Sequence, residues 1–195
     1  MARPDIKDDR REQILDAFET CVARYGLEGA TLAKVAEVAG LARPLIRHNV
    51  GNREDLLAAL IERFLSQSRA SMASLLSYLP SEKRLAALID LLFDPRYANP
   101  RLVQVFNALS AGAPDDSELA RRLREWLEDF VGQIENEIAR EHPEASNDQI
   151  KALAAGITGI YFNVEALYPI GVSTQFIEAS KNAALLLVMA LGKEN

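Results

Sequence analysis

The stretch "AGLARPLIRHNVGNRED", residues 39–55, differs in charge from the chain around it. The protein has 195 residues and a formal net charge of -6, yet no Asp or Glu occurs from residue 38 to residue 53. The same window contains three arginines, among them Arg43 and Arg47, together with His48. A short window of purely basic residues in an acidic chain indicates a surface that meets negative charge.

Two short helices with a tight turn between them are predicted around this window. Thr31 precedes the run "LAKVAEVAG" and is an N-cap for a helix over 32–39, which Gly40 ends. Ala36 offers the small side chain that a second helix needs where it crosses the first at a steep angle. This arrangement is a helix-turn-helix, over about residues 31–50.

The second helix of the pair and its successor also have clear boundaries. Pro44 suits the first turn of a helix that ends before Gly51. Asn52 with Asp55 three residues later is close to a capping box, and it predicts the start of a long helix over 53–78.

Upstream, apolar residues recur at the spacing of one helix face: Ile14, Phe18, Val22 and Tyr25. We therefore predict a first helix over 8–25, ended by Gly26, with Cys21 as a small buried residue.

Downstream, prolines separate five apolar-periodic segments of helical length. Their ranges are 81–94, 100–112, 115–142, 146–168 and 173–192. The predicted fold class is all-α with about nine helices. A three-helix domain over 1–52 precedes a larger helical domain over 53–195.

Composition excludes several classes of protein. No run of 18 apolar residues is present, and the charged N-terminus does not look like a signal peptide, so we expect a cytoplasmic protein without a membrane partner. One cysteine and two histidines argue against a metal site, and no cofactor is expected. No G-x-S-x-G, P-loop, dinucleotide or HExxH motif occurs, so we do not expect an enzyme.

The second helix of the pair presents polar residues on its outward face. These are Arg43, Arg47, His48 and Asn49, and Arg53 opens the next helix. Arginine pairs with guanine and asparagine with adenine in a major groove, so DNA is the expected partner. Residues 1–65 carry ten basic and eleven acidic side chains, net -1, so a solvated face or a protein partner for this domain stays open as an alternative.

From about residue 11 to residue 60 the chain resembles the TetR family of transcriptional regulators. The elements that match include "YG" at the end of the first helix, "VAEVAGLA" across the turn and "GNRED" before the fourth helix. The chain departs from the family at Pro44, where a small residue is usual, and at Arg47 and Val50, where an aromatic pair is usual.

The resemblance implies a repressor that a small-molecule inducer releases from a palindromic operator in double-stranded DNA. It implies DNA contacts at Thr31, Arg43, Pro44, Arg47, His48, Asn49 and Arg53. It also implies a homodimer through the last two helices, about 146–168 and 173–192. The apolar run "AALLLVMAL" in the second of them fits a buried helix.

The resemblance also implies an internal pocket for the inducer, formed by the middle helices. The candidate lining residues are aromatic, with a carboxyl group as a polar anchor: Phe93, Tyr97, Phe106, Trp126, Phe130, Tyr161, Phe162 and Glu165. Each of them also suits an ordinary hydrophobic core, and the inducer itself is not identified.

Overall fold

The computed structural model describes residues 6–191, with side chains from residue 9 onward. Nine α-helices and no strand occur in this part of the chain, which confirms the all-α prediction. They are α1 (Ile6–Gly29), α2 (Leu32–Ala39), α3 (Arg43–Val50), α4 (Arg53–Ser77), α5 (Arg84–Leu92), α6 (Pro100–Gly112), α7 (Ser117–Glu141), α8 (Asn147–Leu167) and α9 (Thr174–Leu191). Short 3-10 helices, Ala113–Asp115 and Tyr168–Ile170, precede α7 and follow α8.

The helix boundaries follow the capping residues that the sequence offers. Thr31 accepts a hydrogen bond from the Lys34 amide at the start of α2. Asn52 and Asp55 exchange hydrogen bonds between side chain and backbone at the start of α4, each of 2.9 Å. Ser146 forms a complete capping box at the start of α8. Side chains that satisfy free amides therefore set the ends of these helices locally.

The first helix differs from its prediction. Gly26 interrupts it with φ 69° and ψ 179°, and one more turn continues to Gly29. Of the four residues on the predicted helix face, Ile14, Phe18 and Val22 are fully buried, and Tyr25 is 46% exposed. The Lys34 ammonium lies 5.5 Å from the centre of the Tyr25 ring.

The chain forms two compact units. One contains the described residues of Met1–Gln67 together with Arg101–Ala120. Within it α1, α2 and α3 contact one another, around a core that includes Phe18, Val35 and Ile46.

The second unit contains Ser68–Pro100 and the described residues from Arg121 onward. Its core joins leucines and isoleucines of α5 to Ile134 and Ile138 of α7 and to the inner faces of α8 and α9. The helix over Asn147–Ile170 is long and apolar enough to cross a membrane by composition alone, with a mean hydropathy of 1.2. Its inner residues are nevertheless buried in the core of this unit, as expected of a packing helix.

Among the described residues, the second unit buries two carboxyl groups: that of Glu137, which pairs with Arg84, and that of Glu165, which is 8% exposed. Burial raises the pKa of the Glu165 carboxyl to about 7, because the charged form loses its hydration. Burial also raises the pKa of Tyr161 and of Tyr168, and repulsion between their phenolates and the Glu165 carboxylate adds to the shift.

Gly51 provides a test of the turn before α4. Its φ is +84°, and a Cβ there would lie 2.2 Å from a carboxylate oxygen of Asp55. We expect Gly51→Ala to lower the free energy of unfolding by about 1–3 kcal/mol in urea denaturation. Gly132→Ala in α7 is the control, since nothing lies within 4 Å of its new Cβ, and it should stabilise the protein by about 0.5–1 kcal/mol. Equal losses in both variants would contradict this account.

The raised pKa of Glu165 leads us to expect that the stability of the protein depends on pH. A folded-state pKa raised above the unfolded value means that the folded protein holds a proton between about pH 4.5 and pH 7. The free energy of unfolding should therefore fall as pH rises through this window. Glu165→Gln should remove that fall and stabilise the protein at pH 8 by an amount on the order of 2 kcal/mol. Urea denaturation of both proteins at several pH values measures it, and an unchanged slope in the variant would exclude Glu165 as its source.

Candidate functional site

The turn between α2 and α3 is held by backbone hydrogen bonds. Gly40 has the left-handed conformation, with φ 64° and ψ 33°. Its amide donates to the Glu37 carbonyl, and the Leu41 amide donates to the Ala36 carbonyl at 2.9 Å. This pattern is a Schellman motif, which reverses the chain within two residues. The side chain of Gln13 in α1 donates to the Ala39 carbonyl at 2.9 Å, which fixes the turn to the first helix.

Helix α3 is attached to the core at one point and exposed elsewhere. Ile46 is its only buried residue. Arg43, Pro44, Arg47 and His48 are exposed, and no ion pair to them occurs among the described residues. Ala42 precedes the helix without a side-chain cap. The exposed face of α3 thus presents free cationic groups to the solvent.

The remaining predicted DNA-contact residues have partners inside the protein. The side-chain amide of Asn49 donates to the Leu45 carbonyl at 2.7 Å and is half-buried. The Arg53 guanidinium donates to the Leu27 carbonyl near the end of α1. Thr31 is exposed while its hydroxyl oxygen caps α2. Asn49 and Arg53 would have to exchange these partners to reach DNA.

One exposed residue of α3 was missed by the sequence reasoning. Leu45 is 45% exposed and lies between the outward arginines along the helix. An apolar side chain here suits contact with the methyl group of thymine. The signal was present, because only one of Leu45 and its neighbour Ile46 can face the core.

The acidic side chains of α1 are held by two arginines. Arg63 of α4 pairs with Glu12 and Asp16, and with Glu19 at 3.3 Å. Arg101 of α6 pairs with the same Glu19 at 2.9 Å. Glu19 is 8% exposed, so its charge is both buried and doubly paired. This group of five side chains is called the α1 ion cluster below.

In the second unit, most of the predicted pocket residues form one aromatic cluster. Trp126 stacks on Phe162 with ring centroids 5.9 Å apart, and Phe130 stacks on Tyr161 at 5.8 Å. Phe93 meets Tyr161 edge to face at 6.0 Å. Glu165 follows one turn of α8 after Tyr161. These residues link α5, α7 and α8.

Two predicted pocket residues lie elsewhere. Phe106 stacks on Phe64 at 5.9 Å, within the other compact unit. Tyr97 is 46% exposed and lies beside Tyr78, with ring centroids 6.5 Å apart. Spacing along the sequence does not reveal which aromatic residues share a cluster.

A groove opens beside the aromatic cluster, between α4 and α7. Its volume is about 350 Å³, and Trp126 and Phe130 form part of its wall. The sequence analysis did not identify Ser68, Arg69 and Met72 on the α4 side, because its candidates were aromatic residues and this part of α4 has none. No group of three or more His, Cys, Asp or Glu side chains that could hold a metal occurs among the residues searched, 6–191.

Comparison with known proteins finds transcriptional regulators among the proteins similar to this chain. No family model matches the chain. The HTH-type transcriptional regulator BetI of Escherichia coli K12 is 26% identical over 164 residues, which cover 80% of this chain and 84% of that protein. BetI is described as a regulator and not as an enzyme.

Solved structures share the fold over nearly the whole chain. The TetR-family transcriptional regulator of Cytophaga hutchinsonii covers 100% of both chains with a TM-score of 0.77 at 12% identity. A TetR transcription regulator of Haloarcula marismortui covers 94% of this chain and 98% of its own, with a TM-score of 0.74 at 20% identity. The resemblance predicted from the N-terminal sequence is confirmed: this chain has the fold of the TetR family of transcriptional regulators, and it is similar in sequence to a helix-turn-helix regulator over four fifths of its length.

Proposed function

We propose that this protein is a dimeric, ligand-responsive transcriptional regulator, a repressor that binds a palindromic operator through α3. The observation that carries the proposal is the exposed face of α3, where Arg43, Arg47 and His48 have no ion-pair partner among the described residues. A helix of eight residues behind a tight turn is the element that enters a major groove in helix-turn-helix proteins. The similar proteins support the same function and give no support to a protein partner for this domain.

Each residue of this face has a chemical task in the proposal. Arg43 and Arg47, one helical turn apart, donate to guanine edges or phosphates. Pro44 and Leu45 contribute apolar contacts beside them. His48 lies in the last turn and, with Thr31 at the start of α2, approaches backbone phosphates. Asn49 and Arg53 join only after giving up their internal hydrogen bonds.

The proposed DNA-reading domain is residues 1–52, and the ligand-binding and dimerisation domain is residues 53–195. The functional boundary falls inside the first compact unit, since that unit also includes α6 and most of α4. The place of action is the cytoplasm, where operator DNA is accessible. The inducer would bind in the second unit and favour a state in which the two α3 helices of the dimer no longer match the half-site spacing.

The second copy of the chain would cover the outer faces of α8 and α9. Leu186, Leu187 and Met189 of α9 are exposed, with Leu186 at 63%. The facing side of α8 has small residues, among them Ala155 and Gly159, which allow close approach of another helix. An apolar helix exposed in this way must be covered, and a two-fold dimer covers the same patch on both subunits.

The DNA contacts can be tested with DNA selected from a random pool by the wild-type protein. We expect Arg43→Ala and Arg47→Ala each to weaken binding of that DNA by roughly ten- to one-hundredfold, since a bidentate base contact is lost. Each change should also flatten the dependence of affinity on salt if a phosphate contact is lost. Gel-shift titrations at several salt concentrations measure both effects. Arg124→Ala, at an exposed arginine of α7, is the control and should bind as wild type. Unchanged binding by Arg47→Ala would remove the proposed role of α3.

The dimer surface can be tested by placing charges on it. We expect Leu186→Glu to convert the dimer to a monomer in sedimentation velocity, because two carboxylates would meet across the two-fold axis. Leu127→Glu introduces the same charge at an exposed leucine of α7 and should leave the dimer intact. Dissociation by both variants, or by neither, would contradict the proposed interface.

A further inference from the structure

The groove between α4 and α7 has the size of a site for a small molecule. Its volume of about 350 Å³ is at the lower end of the range for ligand pockets, roughly 300–1,000 Å³. Along α4 it extends from Ser68 to Leu76, which corresponds to about 12 Å at the rise of an α-helix. An elongated molecule therefore fits it better than a compact one.

The middle of the groove is apolar. Met72, Ala73 and Leu76 line it from α4, and Trp126 and Phe130 line it from α7. The two aromatic rings are held by stacking on Phe162 and Tyr161 of α8. This wall is therefore rigid and suits a hydrocarbon chain, which gains free energy when its surface leaves water.

The polar groups that line the groove are Ser68, Arg69, Asp129 and Gln133, and Ser68 and Arg69 are adjacent donors at one end of it. The Ser68 hydroxyl oxygen accepts from the Trp126 indole at 2.7 Å, which leaves the hydroxyl proton available to donate. The next residue, Arg69, makes one hydrogen bond, to Asp129 at 3.0 Å. The side chains of this ion pair are 57% and 60% exposed, so the pair contributes little stability and is readily exchanged. The other N–H groups of Arg69 remain available to a ligand.

We propose that this groove binds an apolar monocarboxylate, with its hydrocarbon chain against Trp126 and Phe130 and its carboxylate held by Arg69 and Ser68. The two donors lie at one end, so the carboxylate orients the molecule in the groove. Asp129 lies beside this end of the groove as the partner of Arg69, and its charge disfavours a second negative charge on the ligand. Binding in the groove is independent of the proposed function, whereas a role of the bound acid as the inducer rests on it.

The test uses three probes with the same eight-carbon chain: octanoate, 1-octanol and octylammonium. Trp126 is the only tryptophan of the chain, so its fluorescence reports on the groove alone. We expect a saturable change with octanoate below its micellar concentration, and at least tenfold weaker binding of octylammonium. Octanol should fall between them, because it keeps the apolar contact and lacks the charge. Octylammonium binding as tightly as octanoate, or no saturable signal with any of the three, would overturn the proposal.

Substitution of Arg69 distinguishes the contribution of the ligand's carboxylate from that of its hydrocarbon chain. Arg69→Gln should weaken octanoate binding about tenfold and leave octanol binding unchanged. The Arg69 side chain is 57% exposed, so the variant should fold as the wild type does. Arg124→Gln on α7, outside the groove, is the matched control. Octanoate binding unaffected by Arg69→Gln would overturn the assignment of the carboxylate to this end.

The effect on DNA is measured separately, with selected DNA and octanoate in the same gel shift. Release of the DNA by octanoate from the wild-type protein, and not from Arg69→Gln, supports the groove as an inducer site. Saturable fluorescence without any release supports the groove and overturns the inducer role. Absence of DNA binding overturns the proposed function. The fluorescence titration then still shows whether the groove binds octanoate.

Discussion

The ion pairs of Arg63 with the carboxylates of α1 are the interaction on which the N-terminal unit depends. Residues 1–65 carry eleven acidic side chains against ten basic ones, whereas the surface proposed to meet DNA cannot contain free carboxylates opposite phosphates. The α1 ion cluster reduces this conflict, because Arg63 and Arg101 pair with Glu12, Asp16 and Glu19 on α1. Arg63 and Arg101 thus pair with carboxylates of α1, whereas the arginines of α3 have no ion-pair partner among the described residues.

Helix α3 exposes nearly all of its surface, as the proposed contact with DNA requires. Few of its residues can therefore contribute to the core. Here Ile46 alone is buried, and the position of the helix depends on the Schellman turn at Gly40 and the capping box at Asn52. These local hydrogen bonds, from backbone or side chain, supply the rigidity that core packing cannot, since each satisfies an amide or carbonyl at a helix end.

Features that depend on neighbouring residues could be predicted from the sequence, and features that depend on distant ones could not. Thr31, Gly40, Asn52 and Ser146 act within a few residues of themselves, so the helix boundaries followed from them. The α1 ion cluster joins residues 44 and 51 positions apart, as in Arg63 with Glu19 and with Glu12, and no local pattern marks such a pair. The separation of Phe106 from the aromatic cluster has the same origin, because packing between helices decided it.

The α1 ion cluster also bears on how a ligand signal would reach α3. Glu19 is shared by Arg63 of α4 and Arg101 of α6, and Arg101 further donates to the Thr20 hydroxyl and the Asp16 carbonyl, each at 2.8 Å. Removing one partner would leave a buried carboxylate half-compensated, which is costly, so α1, α4 and α6 are expected to shift together. A ligand that binds one arrangement of these helices better than another would bias the position of α1, and with it α3, by its difference in affinity for the two.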